Sequence, residues 1–227
     1  MKLRDAIDGL ARSGTHVFTV YDIAKMLGKS TAYASLLLSK NKKVHRIERG
    51  KYYIEGASSY EIASNIVYPS YVSMHAALQY YDLVDQNVLR YSVITLKRHK
   101  PINVGGTMIN FIRTKKKALF GYTRKSNIYI ASPEKLFIDC LYFGGVPFSV
   151  LKEAIATARE DNLIDVATIE RYAVMLGSRV LVSKLGFLLE FAGINADTLL
   201  RYRYRSYISV PNTGASGKNK KWGINYD

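Results

Sequence analysis

One cysteine, Cys140, and four histidines in 227 residues leave the chain without an internal disulfide and without the clustered ligands of a zinc site. No run of 18 consecutive apolar residues occurs, so no membrane helix is expected, and the opening MKLRDAIDGLARSG lacks the apolar core of a signal peptide. The expected location is cytoplasmic, with no membrane partner. GxxxxGK[ST], HExxH, GxSxG and CxxC are all missing, which removes the common signatures of nucleotide hydrolysis, zinc proteolysis and serine hydrolysis. The widest gap is acidic. Between Asp85 and Glu134 there is no Asp or Glu, so the most basic stretch brings no ligands for the divalent metal that a nuclease needs. The sequence therefore reads as a non-enzyme, with no catalytic residue, metal or cofactor. A metal-dependent nuclease remains only if distant carboxylates such as Glu134, Asp139, Glu153, Glu160, Asp161 and Asp165 converge; each reads more simply as a helix cap or solvated face.

What is present is apolar and basic. Apolar residues make up 48% of the chain, enough for a sizeable core, and the formal charge is +15. Residues 1–56 carry 11 Lys/Arg against five Asp/Glu, residues 86–133 carry ten against none, and residues 201–227 carry six against one. A polyanionic partner accounts for such blocks, because neutralising phosphates releases counterions; an acidic protein surface is the alternative for the middle block. Composition and turn residues divide the chain into residues 1–56, a larger unit at 57–211, and a basic, mobile tail at 212–227, with Gly56-Ala57-Ser58-Ser59 as the boundary.

Residues 18–54, FTVYDIAKMLGKSTAYASLLLSKNKKVHRIERGKYYI, spell helix, tight turn, helix, basic loop and hairpin. Thr19 caps a helix from Val20, Asp22 completes a capping box, and Phe18 with Ile23 forms a hydrophobic staple. Gly28 ends that helix; Ser30 caps a second one running to about Lys40, which Asn41 closes in the left-handed conformation. Gly50 then allows a hairpin turn between β-prone runs. With a preceding helix at residues 1–14, this is the order of a winged helix-turn-helix, although a plain αα-hairpin followed by a β-hairpin fits too. On the DNA-binding reading, the second helix offers Ser30, Thr31, Tyr33 and Ser35 to the major groove, Lys29 and Lys40 meet phosphates, and Arg49 and Lys51 at the wing reach backbone or minor groove. If Ala34, Leu37 and Leu38 face the core, Tyr33 and Ser35 are exposed; Leu36 extends the apolar arc so far that Tyr33 could be core instead.

The larger unit is expected to be α+β. Residues 60–67 and 70–83 read as helices, the second bringing His75 and Asp82 to one face. Residues 90–96, 107–113 and 127–131 read as strands of an antiparallel sheet with one wet face. Lys97, Arg98, Lys100, Lys115, Lys116 and Lys117 sit at strand ends or loops, where exposed charge suits phosphate or an acidic protein but has no geometry for reading bases. Ser132-Pro133-Glu134 starts a helix whose buried stripe includes Cys140 as a core thiol. Helices at 148–160, 165–176 and 178–192 and a strand at 204–210 follow.

YPSYVSMHAALQYYDL (residues 68–83) and IASPEKLFIDCLYF (residues 130–143), placed in this order after a segment ending RGKYYI, resemble the antitoxin and transcriptional-regulator family of abortive-infection E viral-defence systems. The resemblance runs from about residue 18 to residue 143. It implies an autoregulating repressor: residues 1–56 would bind promoter DNA, and residues 57–227 would counter a toxin resembling nucleotidyltransferases. A stand-alone DNA-binding regulator without a toxin partner is the alternative.

Overall fold

The computed structural model describes residues 1–85 and 88–227. Its first unit comprises α1 (Leu3–Arg12), β1 (Val17–Thr19), α2 (Val20–Leu27), α3 (Thr31–Ser39), β2 (Val44–Glu48) and β3 (Lys51–Ile54). The capping box at α2 is formed: Thr19 Oγ1 accepts from Asp22 N at 3.3 Å, and Asp22 Oδ2 accepts from Thr19 N at 2.7 Å. Phe18 and Ile23 are both buried beside it. Gly28 takes φ 62°, which only glycine adopts freely, so the chain reverses within two residues and Ser30 Oγ caps α3 on Tyr33 N. Asn41 behaves differently from expectation. It is not left-handed; its Oδ1 accepts from Lys43 N at 2.9 Å, a local side-chain turn that does the work of a C-cap glycine.

The second unit contains α4 (Ser59–Asn65), β4 (Ser70–Ser73), α5 (His75–Tyr80), β5 (Arg90–Thr95), β6 (Ile102–Val104), β7 (Thr107–Arg113), β8 (Tyr122–Lys125) and β9 (Ile128–Ala131). Then come α6 (Pro133–Phe143), α7 (Phe148–Glu160), α8 (Val166–Leu176), α9 (Arg179–Phe191), β10 (Ile208–Val210), β11 (Gly217–Asn219) and β12 (Ile224–Tyr226). Helices and strands are segregated around mixed sheets, so the fold is α+β. The main sheet has the order β6-β7-β5-β4-β9-β8.

Three expectations are corrected here. Residues 70–83 are not one helix: residues 70–73 form a central strand buried on both faces, which erases the polar alternation that marks a strand. Only residues 75–80 are helical, and Asp82 lies beyond them, exposed and at φ 56°. The sheet is mixed and not wholly antiparallel, because β5 pairs with β7 and β4 with β9 in parallel. The tail from residue 212 is folded, and does not form a separate mobile segment: β12 lies between β10 and β11, and Trp222 is fully buried on α9 at Gly186. Trp222 and Ile224, both fully buried, anchor an otherwise polar tail.

Buried apolar residues form two clusters, one from residues 6–54 and the other from residues 62–224. They are separate, but the units are tied together. The small sheet, ordered β1-β3-β2, turns Phe18, Tyr52 and Ile54 toward α1–α3 and Val17, Ile47 and Tyr53 toward the larger core. No helix among the described residues is long and apolar enough to cross a membrane.

Candidate nucleic-acid interface

The rotational phase of α3 follows from its burial. Ala34 and Leu38 are buried, whereas Tyr33 is 47% and Leu36 52% exposed. Lys29, Ser30 and Thr31 are exposed at its start and Lys40 at its end. Ser35, expected to point outward, is instead half-buried, and its Oγ meets Tyr52 Oη at 3.2 Å. It braces α3 against β3. Leu36 takes its place on the outer face, a residue that apolar patterning assigns to the core.

The hairpin tip is divided between two roles. Arg49 is exposed, as a DNA-contacting wing requires. Lys51 is not: its ammonium donates to Glu48 Oε1 at 2.7 Å and to the Ile66 carbonyl of the second unit. The cause lies in strand alternation, since Lys51 shares the face of Tyr53 that packs on the larger core. Arg46, not anticipated, is exposed and directly opposite Tyr52, which places it beside the middle of α3. Recognising it requires the register of β2.

Charge along this stretch of chain is of one sign. Residues 23–47 hold six Lys/Arg and no acid, and both flanking acids are engaged, Asp22 in the capping box and Glu48 at the hairpin. Burial works against the Glu48 charge, yet Lys51 and His99 more than offset it and hold the carboxyl below the ordinary glutamate range.

The second basic region meets the first at this point. His99 Nε2 lies 3.0 Å from Glu48 Oε2 and its ring packs on Phe111. The loop carrying exposed Lys97, Arg98 and Lys100 is thereby held against the hairpin tip. Arg113 Nε donates to the Leu96 carbonyl, and Arg113, Lys115 and Lys116 border a groove of about 690 Å³ with Tyr142 and Phe143. Lys117 is exposed but its ammonium turns to the Leu176 carbonyl at 3.3 Å. On the opposite side of the junction, Glu61 accepts from His16 N at 3.0 Å and its Oε2 lies 2.9 Å from His16 Nδ1. Asn127 Nδ2 donates to the Gly14 carbonyl.

Asp139, read as a solvated or capping acid, is fully buried beneath the main sheet. It pairs with Lys135, also fully buried, and accepts from Tyr71 Oη at 3.0 Å and Ser73 Oγ at 2.9 Å. Burial pushes its carboxyl above the ordinary aspartate range against the pull of Lys135 and the two hydroxyls. Both carboxylate oxygens accept hydrogen bonds, as a buried charge requires. The i,i+4 spacing was visible in sequence; the absence of solvent was not. Asp165 does serve as a cap, its Oδ2 accepting from Thr168 N; Glu134 lies in the first turn of α6, which Ser132 caps, and its Oε1 accepts from Asp165 N. Cys140 is a buried core thiol, its pKa raised by burial. Among the described residues no group of three His, Cys, Asp or Glu is placed to hold a metal ion.

No protein-family model and no curated protein matches this chain.

Proposed function

We propose that residues 1–56 form a winged helix-turn-helix and that the protein is a sequence-specific, DNA-binding transcriptional regulator. The observation that carries this reading is the outer face of α3. Tyr33 and Leu36 stand exposed there, on a helix bracketed by Lys29 and Lys40 and flanked by Arg46 and Arg49, with Asp22 and Glu48 engaged elsewhere. Apolar and aromatic side chains on a lone surface helix cost solubility; in a major groove they meet thymine methyls and base edges while the cations take phosphates. The loop of Lys97, Arg98 and Lys100, held at the hairpin tip through His99, extends the positive face onto flanking duplex.

The test is fluorescence anisotropy with a duplex from the promoter region upstream of the protein's own gene and with a scrambled duplex of equal length. The expected result is at least about 10³-fold tighter binding to the promoter duplex at physiological salt. Equal binding to both duplexes would reduce the protein to a non-specific polycation binder, and no binding would remove the DNA reading.

The resemblance carried by residues 68–83 and 130–143 supports the narrower reading of an autoregulating antitoxin that counters a nucleotidyltransferase-like toxin. Co-expression of the full chain with the product of the adjacent gene tests it. Restored growth supports the antitoxin role, whereas unrelieved toxicity, or an adjacent gene of another class, leaves a stand-alone regulator.

A further inference from the structure

Met74 stands where a chain ordinarily places glycine. It follows β4 directly with φ 60° and ψ −138°, a combination that residues with a Cβ avoid, and it is 5% exposed. Strain of this kind persists only where surrounding structure holds it, and it gathers at ligand-binding positions. Its effect is to turn the chain sharply, so that the next residue, His75, opens α5 against a cavity of about 710 Å³. The cavity lies at one end of the central strands of the main sheet, where β4 ends and β5 and β7 begin.

Three polar side chains line it: His75, and Arg90 and Ser92, which lie two apart on β5 and so share one face of the sheet. Among the described residues none of the three side chains has a hydrogen-bond or ion-pair partner. Burial lowers the His75 pKa, which keeps one ring nitrogen a donor and the other an acceptor at neutral pH. Met74, Leu89 and Met108 supply apolar wall. A cavity of mixed lining, with three polar side chains that have no partner among the described residues beside an apolar wall, has the composition of a small-molecule site.

We propose that this cavity binds a small organic anion: an apolar body carrying one phosphate or carboxylate group. Arg90 takes the charge, Ser92 Oγ and the His75 ring N–H donate to the remaining anion oxygens, and the body lies on Met74, Leu89 and Met108. The site is independent of the α3 face, so it stands or falls apart from DNA binding.

The experiment follows the imidazole Cε1–H signals of the four histidines by NMR in the full chain, with His75 assigned by the signal lost in His75→Gln. Phenyl phosphate, benzoate and neutral benzyl alcohol are the probes, and the two anions separate phosphate from carboxylate preference. The expected result is a saturable shift of His75 alone with at least one anion and none with the alcohol. Arg90→Gln, at an exposed position and with thermal unfolding unchanged, should weaken that binding about tenfold or more. No saturable shift up to about 10 mM of either anion, an equal response to benzyl alcohol, equal shifts at all four histidines, or unchanged affinity in Arg90→Gln would each overturn the proposal.

Discussion

Glu48 Oε2 lies 3.0 Å from His99 Nε2 while Glu48 Oε1 receives Lys51 Nζ at 2.7 Å, so one carboxylate joins the hairpin tip of the N-terminal unit to a loop of the second. The β2–β3 hairpin that packs beside α3 is thereby tied to the basic loop of residues 97–100.

This junction should be sensitive to acid. Its carboxyl is held below the ordinary glutamate range, so the contribution is complete above that range and is lost as pH falls through the depressed folded value. Thermal unfolding of wild type and Glu48→Gln should differ at about pH 7 and converge toward about pH 3. A constant difference across that range would show that the carboxylate does not titrate with docking.

Arg49 and Lys51, adjacent to the same turn, should separate cleanly. Arg49→Ala should lower the magnitude of the salt slope for duplex binding by about 1, as loss of one phosphate contact does. Lys51→Ala should leave the slope unchanged and lower the unfolding midpoint, because its ammonium is committed to Glu48 and the Ile66 carbonyl. Salt-dependent anisotropy and thermal melts distinguish the two.

On α3 the buried and outer faces should behave oppositely. Ser35→Ala loses the contact with Tyr52 Oη and should cost about 1 kcal/mol of stability, with little change in base preference. Leu36→Ala should leave stability within about 0.5 kcal/mol and weaken promoter binding relative to scrambled duplex. Paired denaturation and anisotropy titrations check both.

Lys135→Met should destabilise the protein by about 3 kcal/mol or more, because it strands the Asp139 carboxylate in a fully buried site. Adding Asp139→Leu should recover part of that loss, since the stranded charge is removed. Urea unfolding of the single and double variants measures the coupling.

Gly186→Ala places a methyl into the ring of Trp222. The expected cost is about 1–3 kcal/mol from overpacking. Because Trp222 is the only tryptophan and is fully buried, displacement of the tail should also shift the emission maximum to the red. An unshifted spectrum with unchanged stability would mean that the tail adjusts without leaving the core.

Local chemistry determined whatever depends on neighbours in sequence. Thr19 with Asp22, Gly28, Ser30, Gly50 and Ser132-Pro133 act through hydrogen bonds and torsions within a turn, and each appears in the structure at the boundary that the sequence indicates. The amphipathic helices α6–α9 were legible for the same reason, since their apolar stripes repeat at helical spacing. Tertiary structure alone decided which surfaces water reaches. It made residues 70–73 a central strand by covering both faces, turned Lys51 inward and left Arg46 outward by the register of β2 against β3, and enclosed Asp139 with Lys135. It likewise drew a polar tail into the core through Trp222 and Gly186. Burial is a property of packing between distant segments, and a one-dimensional pattern carries it only where a face is wet on one side and dry on the other.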